Sequence, residues 1–94
     1  MAQEVVKYRL IIQNEKLWDR DCRKIPHDDR DRIMERVGLL KDYSASGALH
    51  VKQLQHYDLA DFRLRVGDYR VLFNKDEENK AIYLLRVLHR SKLY

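Results

Sequence analysis

Apolar and polar residues alternate along the last third of the chain, and this alternation predicts β-strands. In the segment FRLRVGDYRVLF (62–73) the alternation runs on both sides of Gly67 and Asp68. A two-residue connection that begins with glycine is typical of a type II′ turn, so the segment predicts an antiparallel hairpin. The same reasoning predicts strands over about 5–12, 60–66, 69–75 and 80–90.

Helical spacing of apolar residues replaces this alternation between the first strand and the hairpin. Residues 14–24 predict a helix with Asn14 as its N-cap. Pro26 opens a second helix, and its buried stripe is formed by Ile33, Val37 and Leu40. Gly38 is unfavourable inside a helix, and close packing of the two helices is the reason we predict for it.

These elements predict an α+β fold with the order β-α-α-β-β-β. Sequential hairpins favour a mainly antiparallel sheet, with the helical hairpin packed on one face and the other face open. The segment HVKQLQ (50–55) is either a further short strand or extended chain that leads into the hairpin.

The predicted hairpin register places like charges opposite each other. Pairing outward from the turn sets Arg65 against Arg70. Because side chains alternate between faces, Arg63, Arg65 and Arg70 share the face opposite the apolar residues. Like charges directly opposite in a sheet are destabilising, so this arrangement indicates an anion-binding site.

The register of the last strand decides whether Arg90 joins these arginines. A plain four-residue turn over 76–79 would set Arg70 opposite Leu85. We instead expect an odd loop or a β-bulge that turns Arg86 to solvent and brings Arg90 to the arginine face. Burial of Arg86 against the helices would be costly.

The charge distribution supports an anionic partner. Residues 62–94 contain 8 Lys and Arg against 4 Asp and Glu, whereas residues 1–61 contain 11 of each kind. The whole excess of positive charge therefore follows the start of the hairpin. A localised basic surface is typical of a protein that binds a polyanion such as nucleic acid.

Length and composition exclude several other classes of protein. The 94 residues predict a single domain, over 1–94, and apolar runs of four or five residues predict no membrane segment. The lone Cys22 fits a reducing compartment, so we expect a cytoplasmic protein. The four histidines have no ligand spacing with Cys22, and we predict neither a metal site nor a cofactor.

The order of motifs resembles the RelE/ParE superfamily of small bacterial and archaeal toxins. The resemblance rests on IPHDDRDRI (25–33), HVKQLQHYD (50–58), RVGDYRV (65–71) and the ending LLRVLHRSKLY (84–94). For the RelE branch, it implies a ribosome-dependent endoribonuclease that cuts mRNA in the A site. It also implies a toxin that is monomeric alone and forms a higher-order complex with a cognate acidic antitoxin. The alternatives are a ParE-like inhibitor of DNA gyrase and a catalytically inactive RNA-binding homologue.

The resemblance also implies which residues would act. The catalytic positions are occupied here by Arg63, Arg65, Arg70, Arg90 and Tyr94. The first two are lysines in the best-known form of the family, and the tail before Tyr94 is short. Further contacts to RNA are expected from Lys52, His89 and Lys92.

The chemistry that this set suits is metal-independent attack of the RNA 2′-OH on the adjacent phosphate. Guanidinium groups match phosphate oxygens in a bidentate geometry and stabilise the charge of the transition state. The base that accepts the 2′ proton is left open among Arg65, His89 and Tyr94. Alternation along the last strand places His89 on the face opposite to Arg90.

Overall fold

A computed structural model describes residues 7–42 and 49–92 of the chain. Its elements are β1 (Arg9–Ile12), α1 (Glu15–Arg23), α2 (His27–Leu39), β2 (His50–Gln53), β3 (Phe62–Val66), β4 (Tyr69–Asp76), β5 (Ala81–His89) and a final 3-10 turn (Arg90–Lys92). The predicted α+β class is confirmed, and the order of elements agrees with the prediction apart from one additional strand. The segment HVKQLQ (50–55) contains the additional strand, β2.

The five strands form one mixed sheet in the order β1-β5-β4-β3-β2. Three of the pairings are antiparallel, whereas β1 runs parallel to β5 and pairs with it only from Ala81 to Leu84. The expectation of a mainly antiparallel sheet therefore holds, with one parallel pair added at the β1 edge.

The hairpin of β3 and β4 has the predicted register, including Arg65 opposite Arg70. Gly67 adopts φ +57°, a left-handed conformation that glycine reaches without the steric cost of a side chain. A type II′ turn has a positive φ only at its first central residue. Asp68, the second central residue, is accordingly not among the described residues with positive φ. The turn chemistry and the alternation of residues thus act together to set this pairing.

The main core lies between the helices and one face of the sheet. Asn14 caps α1, because its side-chain oxygen accepts a hydrogen bond of 3.1 Å from the backbone N–H of Leu17. The predicted stripe of α2 is buried, and it packs with residues of α1 and of the central strands. These core residues include Trp18, Ile33, Val37, Leu40, Leu64, Val71, Phe73 and Val87.

The opposite face of the sheet is only partly open, which differs from the prediction. Residues 54–60 fold over it, and Ala60 packs on Leu72, which is fully buried. Leu54 and Tyr57 from this segment join Leu85 and Leu88 of β5 in the same small cluster. The segment lacks a regular apolar period, so its packing could not be predicted from alternation.

The predicted β-bulge is present, but the predicted direction of Arg86 is wrong. The register shifts between Leu72 and Phe73, so that Arg70 lies opposite Leu88. Arg86 does not turn to solvent. Its Nε and Nη2 donate to the carboxylate of Asp21 on α1, at 2.7 and 2.9 Å. This bidentate ion pair offsets the cost of placing a guanidinium against a helix.

The close helix packing predicted as the reason for Gly38 is also absent. A Cβ built on Gly38 would meet nothing within 4 Å. We therefore expect Gly38→Ala to raise the free energy of unfolding by up to about 1 kcal/mol, since alanine has the higher helix propensity. Urea denaturation followed by the fluorescence of Trp18 measures this change, and a loss of stability would contradict it.

Glu77, in the turn between β4 and β5, holds this end of the sheet together. Its carboxylate accepts hydrogen bonds from the hydroxyl of Tyr8 at 2.9 and 3.0 Å, and forms ion pairs with Lys75 and Lys80. The hydrogen bonds from Lys75 and Tyr8, in that order, lower the pKa of Glu77 from 4.5 to about 2. A depressed carboxyl pKa stabilises the fold above the unfolded-state value, and that stabilisation is lost as pH falls.

Replacement of Glu77 by glutamine tests this linkage. We expect Glu77→Gln to be less stable than the wild-type protein at neutral pH. The difference should shrink as pH falls from 4.5 to about 2, because the wild-type carboxylate becomes protonated over that window. Thermal denaturation across this range measures the effect, and a pH-independent difference would contradict it.

Candidate nucleic-acid interface

Basic side chains line up across three neighbouring strands on the face opposite the helices. Arg65 lies opposite His50 of β2 on one side and opposite Arg70 of β4 on the other. The next pair along the same strands sets Lys52 opposite Arg63. Together with Arg90, these residues form a surface that we call the basic face: His50, Lys52, Arg63, Arg65, Arg70 and Arg90.

Arg70 is the buried member of the basic face. It is only 8% exposed, whereas Arg65 and Arg90 are exposed and Arg63 is half-buried. Its Nη1 donates to the carbonyl oxygens of Gly67 and Tyr69, both at 2.9 Å. These two bonds anchor the guanidinium at the hairpin turn.

One further donor of Arg70, its Nε, has no partner among the described residues. This Nε is buried, and no ion pair among residues 7–42 and 49–92 includes Arg70. A buried donor left unpaired costs about 1–3 kcal/mol. The fold thus holds a desolvated cation that an anion could stabilise.

Electrostatic repulsion adds to the effect of burial. Burial lowers the pKa of Arg70, and the positive charges of Arg63, Arg65 and Arg90 lower it further, against a smaller opposing effect of Asp68. The same residues were predicted to lie together from the hairpin register and the last strand. The described structure therefore brings four of the five predicted catalytic residues into one electrostatic cluster.

Arg90 reaches this cluster from the 3-10 turn rather than from a strand. Its backbone N–H donates to the carbonyl oxygen of Asp68 at 2.8 Å, and its Nε lies 3.6 Å from the Asp68 carboxylate. Both side chains are well exposed, so the ion pair contributes little to stability. The backbone bond ties the start of the turn to the hairpin tip and sets the position of Arg90.

The other predicted RNA-binding residues are placed differently. Lys52 belongs to the basic face, and Lys92 is exposed on the 3-10 turn. His89 lies opposite Tyr69, and the two rings are edge to face with their centroids 5.5 Å apart. The His89 side chain therefore lies on the face of the sheet opposite to that of Arg70. The backbone N–H of Ser91 donates to Nδ1 of His89 at 3.2 Å. Tyr94 lies outside the described residues.

Two arginines beside the basic face were not predicted from the sequence. Arg32 and Arg36 of α2 line a hollow of about 100 Å³ together with His50 and Arg65. Neither forms an ion pair within the described part of the chain. Their spacing of four residues places them on one side of the helix, and that spacing was the available signal.

The described residues offer little for other kinds of site. Within residues 7–42 and 49–92, no three His, Cys, Asp or Glu side chains lie close enough together to hold a metal ion. In the same residues, no helix is both long enough and apolar enough to cross a membrane. Burial raises the pKa of the Cys22 thiol, which makes it a poor nucleophile.

Comparison with known proteins agrees with this geometry. Residues 13–94 match the family model described as the ParE toxin of the type II toxin–antitoxin system parDE. No curated protein matches the chain.

Three solved structures are similar to the chain over nearly its whole length, each at 25% sequence identity. They are the toxin–antitoxin complex RelBE2 from Mycobacterium tuberculosis, and the RelE–RelB complexes from Pyrococcus horikoshii and Methanococcus jannaschii. The TM-scores are 0.72, 0.68 and 0.67, respectively. The matches cover 97%, 92% and 92% of this chain, and 100%, 98% and 94% of the other chains.

Proposed function

We propose that this chain, which belongs to the ParE toxin family of type II toxin–antitoxin systems within the RelE/ParE superfamily, is a toxin that cuts RNA with its basic face. The observation that supports nuclease activity most is Arg70, buried at the hairpin turn opposite Arg65 and without a carboxylate partner among the described residues. A fold that keeps such an arrangement is suited to a phosphate that binds between the two guanidinium groups.

In the proposed reaction, the 2′-oxygen of a ribose attacks the adjacent phosphorus, and the bond from phosphorus to the 5′-oxygen breaks. The products are a 2′,3′-cyclic phosphate and a 5′-hydroxyl. Arg63, Arg65 and Arg90 hold the phosphate and stabilise the negative charge of the pentacoordinate transition state. The base that accepts the 2′ proton is one of Arg65, His89 and Tyr94.

Arg70 suits a second role in the same reaction. Burial and the neighbouring arginines destabilise its positive charge, as the lowered pKa of Arg70 indicates, so an anion beside it is stabilising. We assign to Arg70 a hydrogen bond to the leaving 5′-oxygen, which stabilises the negative charge there until water supplies the proton. The reaction then needs no metal ion, because the four arginines supply the positive charge.

The substrate in this proposal is mRNA in the A site of the ribosome, and the compartment is the cytoplasm. The toxin is held inactive by a cognate acidic antitoxin. The three similar structures are complexes of RelE-type toxins with antitoxins, which supports such a partner for this chain. An acidic segment that covers the basic face would relieve the same repulsion as RNA does.

A second function is favoured by one finding. The matching family model is that of ParE toxins, and inhibition of DNA gyrase without nuclease activity is the corresponding alternative. The arginine cluster favours the nuclease, because gyrase inhibition gives no reason for a buried guanidinium opposite a second one.

Two assays on the same purified protein separate these functions. Primer extension on ribosomes programmed with a defined mRNA should show a new end within the A-site codon. Supercoiling by DNA gyrase should proceed at its normal rate in the presence of the protein. Inhibited supercoiling together with uncut mRNA would overturn the proposal in favour of the alternative.

A further inference from the structure

A cavity lies beside the basic face. It has a volume of about 630 Å³ and is formed where the chain leaves β2 and folds over the sheet. Ligand sites in proteins usually enclose about 300–1,000 Å³, so this cavity is large enough for a nucleotide. The basic face supplies two of its walls, Lys52 and Arg63.

The lining of the cavity combines three kinds of chemistry. Leu54 and the fully buried Leu72 provide apolar surface, and His56 and Tyr57 provide two rings. The amides of Gln53 and Gln55 add hydrogen-bond donors and acceptors. The cationic wall of Lys52 and Arg63 completes the set. Proteins bind unpaired nucleotides with the same kinds of group: a ring that stacks on the base, polar groups that bond its edge and a cation beside its phosphate.

The backbone at His56 is fixed in an unusual conformation. His56 has φ +58°, in the left-handed region, where histidine is more common than most other residues with a side chain. Tyr57, half-buried in the cluster with Ala60 and Leu72, anchors the segment and holds the histidine at the cavity.

We propose that this cavity binds one unpaired base of the RNA, next to the nucleotide whose phosphate the arginines hold. This inference rests on the proposed function, since it assumes that RNA follows the basic face. Arg63 belongs to both the cavity and the arginine cluster, so consecutive phosphates of one strand can reach the two sites. The cavity is thus a base-specificity site that accompanies the cleavage site.

Binding of a short single-stranded RNA that cannot be cut tests the cavity without using catalysis. A fluorescent oligonucleotide with 2′-O-methyl riboses is titrated with the full-length protein, and anisotropy gives the Kd. His56→Gly removes the ring and relieves the backbone strain, so it should fold at least as stably as the wild-type protein. We expect it to bind the RNA about 5- to 50-fold more weakly, as the loss of one stacking partner predicts. His27→Ala, which removes an exposed histidine from α2, is the matched control and should leave the Kd unchanged.

A double-mutant cycle identifies the group that occupies the cavity. An oligonucleotide with one abasic position should bind the wild-type protein as weakly as the complete RNA binds His56→Gly. Combining the abasic RNA with the variant should add no further loss. Additive losses, or an unchanged Kd for His56→Gly, would overturn the proposal. The proposal would also be overturned if His56→Gly weakened the binding of acidic peptides but not of RNA, since the cavity would then belong to a protein partner.

The binding test of the cavity and the cleavage test of the proposed function can fail independently of each other. A protein that binds RNA through the cavity but leaves ribosome-bound mRNA uncut would refute the nuclease and retain the base site. A protein that cuts mRNA with an unchanged Kd for His56→Gly would retain the nuclease and refute the base site.

Discussion

Arg70→Ala is expected to cut ribosome-bound mRNA about 10²–10³-fold more slowly than the wild-type protein, the loss typical when one preorganised donor to a transition-state anion is removed. Arg70 is the member of the basic face that is both buried and anchored, through the carbonyl oxygens of Gly67 and Tyr69. No neighbouring arginine can take its place without breaking the hairpin register. Single-turnover cleavage of a defined mRNA on programmed ribosomes measures the rate.

The stability of this variant separates a catalytic effect from loss of the fold. Arg70→Ala removes two hydrogen bonds to the turn but also removes repulsion from Arg63, Arg65 and Arg90, so stability should change by no more than about 1 kcal/mol. Arg70→Lys keeps the charge but loses the planar geometry, and we expect an intermediate rate. Arg20→Ala, on the exposed surface of α1, is the matched control and should cut at the wild-type rate. A fully active Arg70→Ala would refute the assigned site.

The largest expected effect on stability comes from Asp21→Ala, which should lower the free energy of unfolding by about 2–3 kcal/mol. The Asp21 side chain is 2% exposed and accepts three hydrogen bonds: two from Arg86, and one of 3.1 Å from the backbone N–H of Val87. Val87 lies beyond Leu84, the last residue of β5 that pairs with β1. Asp21 therefore accepts a hydrogen bond from a backbone N–H at a part of β5 that β1 does not cover. Arg86 keeps 28% exposure, which places the loss below the 3–5 kcal/mol of a fully buried pair.

Two further variants separate the contribution of the ion pair from that of the hydrogen bond to Val87. Asp21→Asn keeps an acceptor for Val87 but loses the charge, so it should be intermediate in stability. Asp19→Ala, an exposed neighbour on α1, should change stability by less than about 0.5 kcal/mol. Urea denaturation monitored through Trp18 gives each value. An Asp21→Ala variant as stable as the wild-type protein would show that Arg86 and the β5 edge do not depend on this carboxylate.

Local rules were enough to predict the hairpin. The alternation on both sides of Gly67 and Asp68 determines the pairing of Arg65 with Arg70, because a one-residue slip would turn every apolar side chain to the wrong face. The cost of burying Arg86 led us to expect an odd loop or a β-bulge, and a bulge is present in β5, although Arg86 itself pairs with Asp21 of α1. The grouping of Arg63, Arg65 and Arg70 follows from the hairpin register, whereas Arg90 is placed by the 3-10 turn.

Features that depend on distant contacts could not be predicted in this way. Arg86 and Asp21 are separated by 65 residues, and nothing in the local pattern of either segment indicates the ion pair. The parallel pairing of β1 with β5 and the folding of residues 54–60 over the sheet are also long-range. That segment lacks periodicity, yet it forms most of the wall of the cavity beside the basic face.

The most direct test of the central proposal is cleavage of an mRNA in which one ribose of the A-site codon lacks its 2′-hydroxyl. Ribosomes are programmed either with this mRNA or with the all-ribose form, and primer extension maps the ends after addition of the wild-type protein. We expect a cut within the A-site codon of the all-ribose mRNA and no cut on the 3′ side of the deoxy position. Cleavage at the deoxy position would contradict attack by the 2′-oxygen, and an uncut all-ribose mRNA would contradict the nuclease itself.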